Sequence, residues 1–332
     1  MKNLVSLATL GFLILGGLAS PLAQADRVTL QLKWVTQAQF AGYYIALDKG
    51  FYSQEGLEVT IEPGGPDVAA IPAIADGHAD VIVEWMPPAL AARERGIALV
   101  NIAQPFKSSG MMLVCRKGAG VATSADFRGK KIAVWFSGSE YPFLNWMSQL
   151  GIPVTGGPDG VEMLRQDFSI DALLQKQVAC ISAMSYNEFL QVMDAGVPPE
   201  ELVTLRYEEQ GVATLEDGLY VLEERLDDPA FRDRMVRFVR ASLRGWRFAV
   251  QHPEEAVRII LDNDSTGTRT ERHQTRMMRE VARLVAGTDG SLDPADYQRT
   301  VATLLAGDSD PVITREPESA WTHEVTDEAL DY

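Results

Sequence analysis

Beyond its first two dozen residues the chain has no apolar run long enough to cross a membrane. Histidine is scarce: His78, His252, His273 and His323 lie far apart, without metal-ligand spacing or pairing. The sequence has no G-x-S-x-G, no Walker loop and no G-x-G-x-x-G, and "GKK" after "DFR" is a turn into a strand rather than a phosphate loop. These absences leave catalysis and nucleotide binding without a visible carrier. Positive charge is also short, with 30 Lys and Arg against 46 Asp and Glu and a net charge of −16. Such a chain is poorly suited to nucleic acid or to anionic lipid.

Cysteine is nearly absent. Cys115 in "MMLVCRKG" and Cys180 in "VACISAM" both sit in apolar, strand-like runs. They read as buried free thiols, because unpaired Cys behaves as a small hydrophobe. An oxidising compartment would also permit a disulfide. The start of the chain points to such a compartment. Lys2, the apolar stretch Leu4 to Leu18 and the A-x-A site Ala23-Gln24-Ala25 form the pattern of a secretory signal peptide cleaved after Ala25. No cysteine stands near that site to carry a lipid anchor. Removing residues 1–25 takes away one Lys and no acid, and leaves about 307 residues, more than one core commonly holds.

The remaining chain alternates strand and helix. Val28, Leu30, Leu32 and Trp34 follow a period of two, so Trp34 is expected to end the first strand. From Gln39 the apolar spacing becomes helical, and Gly50 fits the stop. Strands follow in "GLEVTIEPGG", Asp80 to Trp85 and "ALVNIAQPF", the rhythm of a parallel sheet with covering helices. The pattern restarts at "SGMMLVCRKG" and turns all-helical after "DGLYVLEE". The fold class is therefore α/β with two lobes, residues 26–110 and 214–332 forming a discontinuous first lobe and residues 111–213 the second. A ligand cleft is expected between them, beyond the carboxyl ends of the strands.

Several residues fall beside that expected cleft. "LKWVTQAQFAGYYIALDKGFY", residues 32–52, gathers aromatic rings and amides. Trp34 offers a stacking face, Gln39 an amide that both donates and accepts, and Tyr43 is open between core and pocket wall, whereas Phe40 and Tyr44 suit the core. Glu84 and Trp85 end the third strand, where a carboxylate must find a salt bridge or ligand N–H groups. Ser137, Gly138 and Ser139 form a strand-to-helix loop able to cradle an anion, and Glu140 in the same loop would repel one. Tyr186, Asn187 and Glu188 end a strand of the second lobe. Tyr186 is placed to close a ring sandwich opposite Trp34, and Asn187 serves either as a ligand contact or as a helix N-cap. Glu216 and Asp217, at the return crossing, are hinge candidates, with Asp217 also a ligand candidate. Flat faces with acceptors suit an uncharged or cationic aromatic heterocycle.

The strings "LKWVTQAQFAGYYIALDKGFYSQEGLEV", "GHADVIVEW", "GKKIAVW", "AMSYNE" and "HPEEA" resemble type II periplasmic substrate-binding proteins of the thiamine-pyrimidine-synthase-like superfamily. The resemblance implies a Venus-flytrap fold, monomeric in the periplasm, that delivers a small molecule to an ABC importer permease and needs no cofactor. It implies ligands such as thiamine-precursor pyrimidines, flavin-like rings or alkyl sulfonates. The same superfamily contains a pyrimidine synthase that consumes pyridoxal phosphate and its own histidine. Its lysine would fall at Glu84 and its histidine at Pro88, and its cysteine-rich motif near "GVATLEDG", which has no cysteine. Synthesis is therefore the alternative expectation, and sulfonate carriage the second alternative.

Overall fold

The computed structural model describes residues 25–136, 138–306 and 311–331. The expected signal peptide up to Gln24, and Ser137, lie outside the described residues.

Two five-stranded sheets organise the chain. Strands β1 (Asp26–Gln31), β2 (Leu57–Glu62), β3 (Val81–Glu84) and β4 (Leu99–Ala103) are followed by β5 (Met111–Arg116), β6 (Lys131–Val134), β7 (Glu162–Arg165), β8 (Cys180–Met184) and β9 (Leu202–Arg206), and last by β10 (Gly218–Leu222). The first sheet runs β2-β1-β3-β10-β4 and the second β7-β6-β8-β5-β9. β1, β2 and β3 are mutually parallel, as the sequence rhythm suggests. Neither sheet is wholly parallel, however. β10 runs antiparallel between β3 and β4, and β5 runs antiparallel between β8 and β9. Each is the first strand after the chain has crossed from the other sheet. A strand that enters from the far side can run against its neighbours without a covering helix to reverse it.

The register of β5 on β8 corrects the reading of the cysteines. Cys115 lies directly opposite Cys180, and the two are joined by a disulfide. Side chains facing each other across an antiparallel pair come within bridging distance. Composition favoured free thiols because it carries no information on register.

Tyr43 is also corrected. The helices Ala41–Asp48 and Pro229–Gln251 cross where Gly42 meets Gly245. A Cβ on Gly245 would lie 1.9 Å from the Gly42 carbonyl oxygen, and one on Gly42 would lie 2.3 Å from the Trp246 ring. This close approach seats Trp246 in the core and turns Tyr43 edge-on to it, with ring centroids 5.6 Å apart. Tyr43 is buried in the helix-covered core and is not a cavity wall.

Candidate functional site

A cavity of about 580 Å³ opens between the two sheets, beyond the carboxyl ends of β1, β3, β6, β7 and β8. A volume of this order holds a drug-sized ligand. Lys33, Trp34, Gln37, Gln39, Glu84 and Trp85 line it from the first sheet. Trp135, Phe136, Ser139, the run Arg165 to Phe168, Met184 and Tyr186 to Glu188 line it from the second.

The wall on the first sheet is built by a displaced strand end. β1 stops at Gln31, three residues before Trp34. The Gln31 side-chain amide donates to the carbonyls of Leu32, Glu62 and Pro63 at 3.0, 3.1 and 3.1 Å. That tie fixes the exit of β1 against β2, and Lys33 and Trp34 follow it to the cavity. Gln37 then donates to the Gln39 amide oxygen at 2.7 Å, and Gln39 donates to Asp217 Oδ2 at 2.6 Å. The indole N–H of Trp85 donates to Asp217 Oδ1 at 2.8 Å. Asp217 therefore stands behind the wall and orients Gln39 and Trp85, rather than lining the cavity itself. Its φ of 44° lies in the left-handed region that Asp tolerates better than most residues.

The ring facing Trp34 is not Tyr186. Phe168, 56% exposed and just past β7, meets Trp34 at a centroid distance of 4.6 Å and an interplanar angle of 51°. This pair bridges the cleft on its solvent side. Tyr186 lines the same cavity at greater depth, and among the described residues its hydroxyl has no hydrogen-bond partner. Asn187 occupies the N-cap position of the helix Glu188–Asp194, but its side chain caps nothing. It donates to Glu188 Oε1 at 2.7 Å, and its oxygen accepts from Gln191 and contacts His273 Nε2 at 2.9 Å.

The loop between β6 and the helix Tyr141–Gln149 divides its residues. Ser139 lines the cavity, whereas Gly138 and Glu140 do not. The Gly138 N–H donates to Glu140 Oε2 at 2.7 Å, so this donor of the loop is taken by the chain's own carboxylate. Gly138 has a φ of 110°, and a Cβ there would come within 2.9 Å of Pro88 on the opposite wall.

Burial governs the electrostatics. Desolvation raises the pKa values of Glu84 and Asp217 and lowers that of Lys33. Lys33 Nζ and Glu84 Oε1 are 4.0 Å apart, and at that distance their attraction offsets only part of the burial cost on each. Burial also pushes Glu188 up to about 7 and Glu216 up to about 8. Glu188 already accepts from the Met184 N–H at 2.9 Å and from Asn187, and Glu84 from the Trp85 N–H at 2.9 Å.

Sequence reasoning missed Lys33, Phe136, Arg165 and Phe168, whereas Gln37 stands in the loop expected beside the cleft. One signal was available: each stands at or just past the carboxyl end of a parallel strand, the position already used for Trp34 and Glu84.

Known proteins fit this geometry. The chain is 22% identical to a formylaminopyrimidine-binding protein of Halalkalibacterium halodurans over 90% of this chain and 91% of that protein. It is 26% identical to the riboflavin-binding protein RibY of Chloroflexus aurantiacus over 71% of this chain and 66% of that one. A 4-amino-5-hydroxymethyl-2-methylpyrimidine phosphate synthase of Schizosaccharomyces pombe matches at 30% identity, but only over 32% of this chain and 31% of the synthase. Among solved structures, the ligand-binding component of an ABC-type import system from Staphylococcus aureus superposes with a TM-score of 0.67, covering 92% of this chain and 100% of that one at 15% identity. Its likeness shows the periplasmic-binding-protein fold. The NMT1/THI5 like family matches residues 37–256, and the chain belongs to that family.

Proposed function

We propose that this protein is the solute-binding component of an ABC importer and that its cargo is a small aromatic heterocycle. In this reading it acts as a monomer in the periplasm, with residues 26–110 and 214–332 closing against residues 111–213 around the cargo. A membrane permease then receives the closed form. The observation that carries the reading is the pairing of Trp34 and Phe168 across the cleft, one ring from each side, over a cavity further walled by Trp85, Trp135 and Tyr186. Rings supplied from both sides favour a flat guest and link its capture to closure. The names of two relatives, a formylaminopyrimidine-binding protein matched over nearly its whole length and a riboflavin-binding protein matched over 66% of its length, support the same class of cargo.

Sulfonate carriage is disfavoured by the carboxylates of Glu84 and Glu188 in the cavity lining. Synthase activity is disfavoured by Pro88, which lines the cavity where the resemblance puts the donor histidine. The cavity does contain an amine, that of Lys33 beside Glu84, so the lysine position alone does not decide the matter.

Mass spectrometry of small molecules released from the purified mature protein tests the proposal, together with thermal shifts on adding riboflavin, a formylaminopyrimidine and an alkanesulfonate. A stabilising shift with either heterocycle and none with the sulfonate is expected. A shift with the sulfonate alone, or a pyridoxal-aldimine absorbance band with turnover, would overturn it.

A further inference from the structure

Lys33 brings to the cavity an ammonium that is largely shielded from solvent and held by no hydrogen-bond acceptor. Its side chain is 17% exposed, and Nζ sits 3.3 Å from the centroid of the Trp85 ring. Among the described residues no acceptor lies within hydrogen-bonding distance of Nζ; Glu84 Oε1, at 4.0 Å, is its sole ion-pair partner. The neighbouring carboxylates are held by other donors. Glu84 takes the Trp85 N–H, Asp217 takes Gln39 and the Trp85 indole, and Glu216 takes Ser109 and the Gly110 N–H. Three N–H donors on one ammonium, next to a ligand cavity, are thus left without acceptors. Such donors are costly to bury unless a partner arrives.

We propose that Lys33 is a specificity-determining residue that donates to a carbonyl oxygen of the bound ring and excludes ligands bearing an ammonium at that edge. The inference rests on the heterocycle reading above and sharpens it: the cargo is an uncharged ring system with an acceptor edge, such as a formamide or a ring dione. The acids of the wall had suggested a ligand rich in donors. Their engagement inside the protein reverses that expectation, because Lys33 is left as a charged donor for the ligand. The Trp85 face holds the ammonium in place, and the indole is itself fixed by Asp217.

The matched probes are N-formyl-4-amino-5-aminomethyl-2-methylpyrimidine and its deformylated amine, which differ in a formyl carbonyl against an ammonium. Riboflavin, with its ring dione, is the third probe. Calorimetric titration of the wild-type protein is expected to show at least about tenfold preference for the formyl compound over the amine. Lys33→Met should weaken whichever carbonyl ligand binds by about tenfold or more and shift the ratio toward the amine, because Glu84 loses its counter-charge. Lys33→Met with Glu84→Gln removes both charges, guards against misfolding of the single variant, and should bring the ratio near one. Unchanged affinities and ratio in both variants would overturn the role of Lys33 and leave heterocycle binding standing. Failure of the wild-type protein to bind any of the three would overturn both.

Discussion

Glu216 and Gly110 lie on the two separate stretches that connect the sheets, and a hydrogen bond of 3.0 Å from the Gly110 N–H to Glu216 Oε2 joins them. Ser109 Oγ donates to the other oxygen of the same carboxylate, and the Gln104 side chain donates to the Glu216 carbonyl. One acidic residue therefore ties together both crossings. Any hinge motion between the sheets must bend about this tie or break it.

Because burial holds Glu216 up to about 8 and Glu188 up to about 7, both bind protons more tightly in the folded chain than in the unfolded one. Their contribution to stability is full below the ordinary carboxylate range. It declines as pH rises from there through about 7 for Glu188 and about 8 for Glu216. The melting temperature is thus expected to fall between pH 5 and pH 8, on the order of the usual carboxylate-to-shifted window. Glu216→Gln should flatten that fall. Scanning calorimetry across the range checks it, and a melting temperature that climbs toward pH 8 in the wild-type protein would contradict it.

The disulfide between Cys115 and Cys180 closes a loop with a sequence separation of 65. Chain-entropy reasoning puts its contribution at about 4 kcal/mol for a loop of this size, with native disulfides commonly giving about 2–5 kcal/mol. The double replacement by Ala should lower unfolding free energy by that order in denaturant titrations. Reductant should then have no further effect on the variant.

The Tyr43 hydroxyl and the Trp246 indole N–H are both buried without a hydrogen bond of good geometry. Removing an unpaired buried hydroxyl costs nothing and can gain up to about 1 kcal/mol. Tyr43→Phe should accordingly keep or slightly raise the melting temperature and leave ligand affinity unchanged. A tenfold loss of affinity would return Tyr43 to the site.

Tyr43 also shows where the sequence stops being legible. The period-two and helical patterns located strands and helices well, because each reflects burial on a local face. They placed Trp34, Glu84, Trp85 and Tyr186 at strand ends, and all four line the cavity. What local pattern cannot contain is the far partner. The Gly42–Gly245 crossing that buries Tyr43 joins positions some two hundred residues apart, and the pairing of Trp34 with Phe168 across the cleft joins positions 134 apart. Lys33 was passed over because an alternating polar residue in a strand normally faces solvent. The strand's early end at Gln31 released Lys33 from that rule.

Trp34 and Phe168 should be worth more to binding than to folding. Their contact is at the cleft edge, where Phe168 is 56% exposed and Trp34 is half-buried against the margin of the core. Either single change to Ala should weaken heterocycle binding roughly tenfold, combining lost apolar area with aromatic contact energy. The unfolding free energy should move by less than about 1 kcal/mol. A variant that unfolds readily but still binds would reverse the assignment.

Ion pairs distant from the rings also join the two sides of the cleft. Asp194, at the end of the helix Glu188–Asp194, pairs with Arg272 at 3.1 Å and Arg276 at 2.5 Å on the helix Glu271–Leu284. His273 on that second helix contacts Asn187, which lines the cavity at the start of the first. The helix Glu188–Asp194 follows β8 of the second sheet, whereas the helix Glu271–Leu284 holds Gln274, whose side chain accepts from the Ala38 N–H at 2.7 Å on the first-sheet wall. These ion pairs therefore span the two sides and count only when the sides are together. Partly exposed pairs contribute about 0.2–1 kcal/mol each, so Asp194→Ala, which removes both, should weaken ligand binding by about two- to thirtyfold. On the proposed closing of the two sides around the cargo, the change should fall on dissociation. Stopped-flow dissociation at rising salt supplies the control. The wild-type rate should climb toward that of the variant as the pairs are screened, while the variant's rate stays flat.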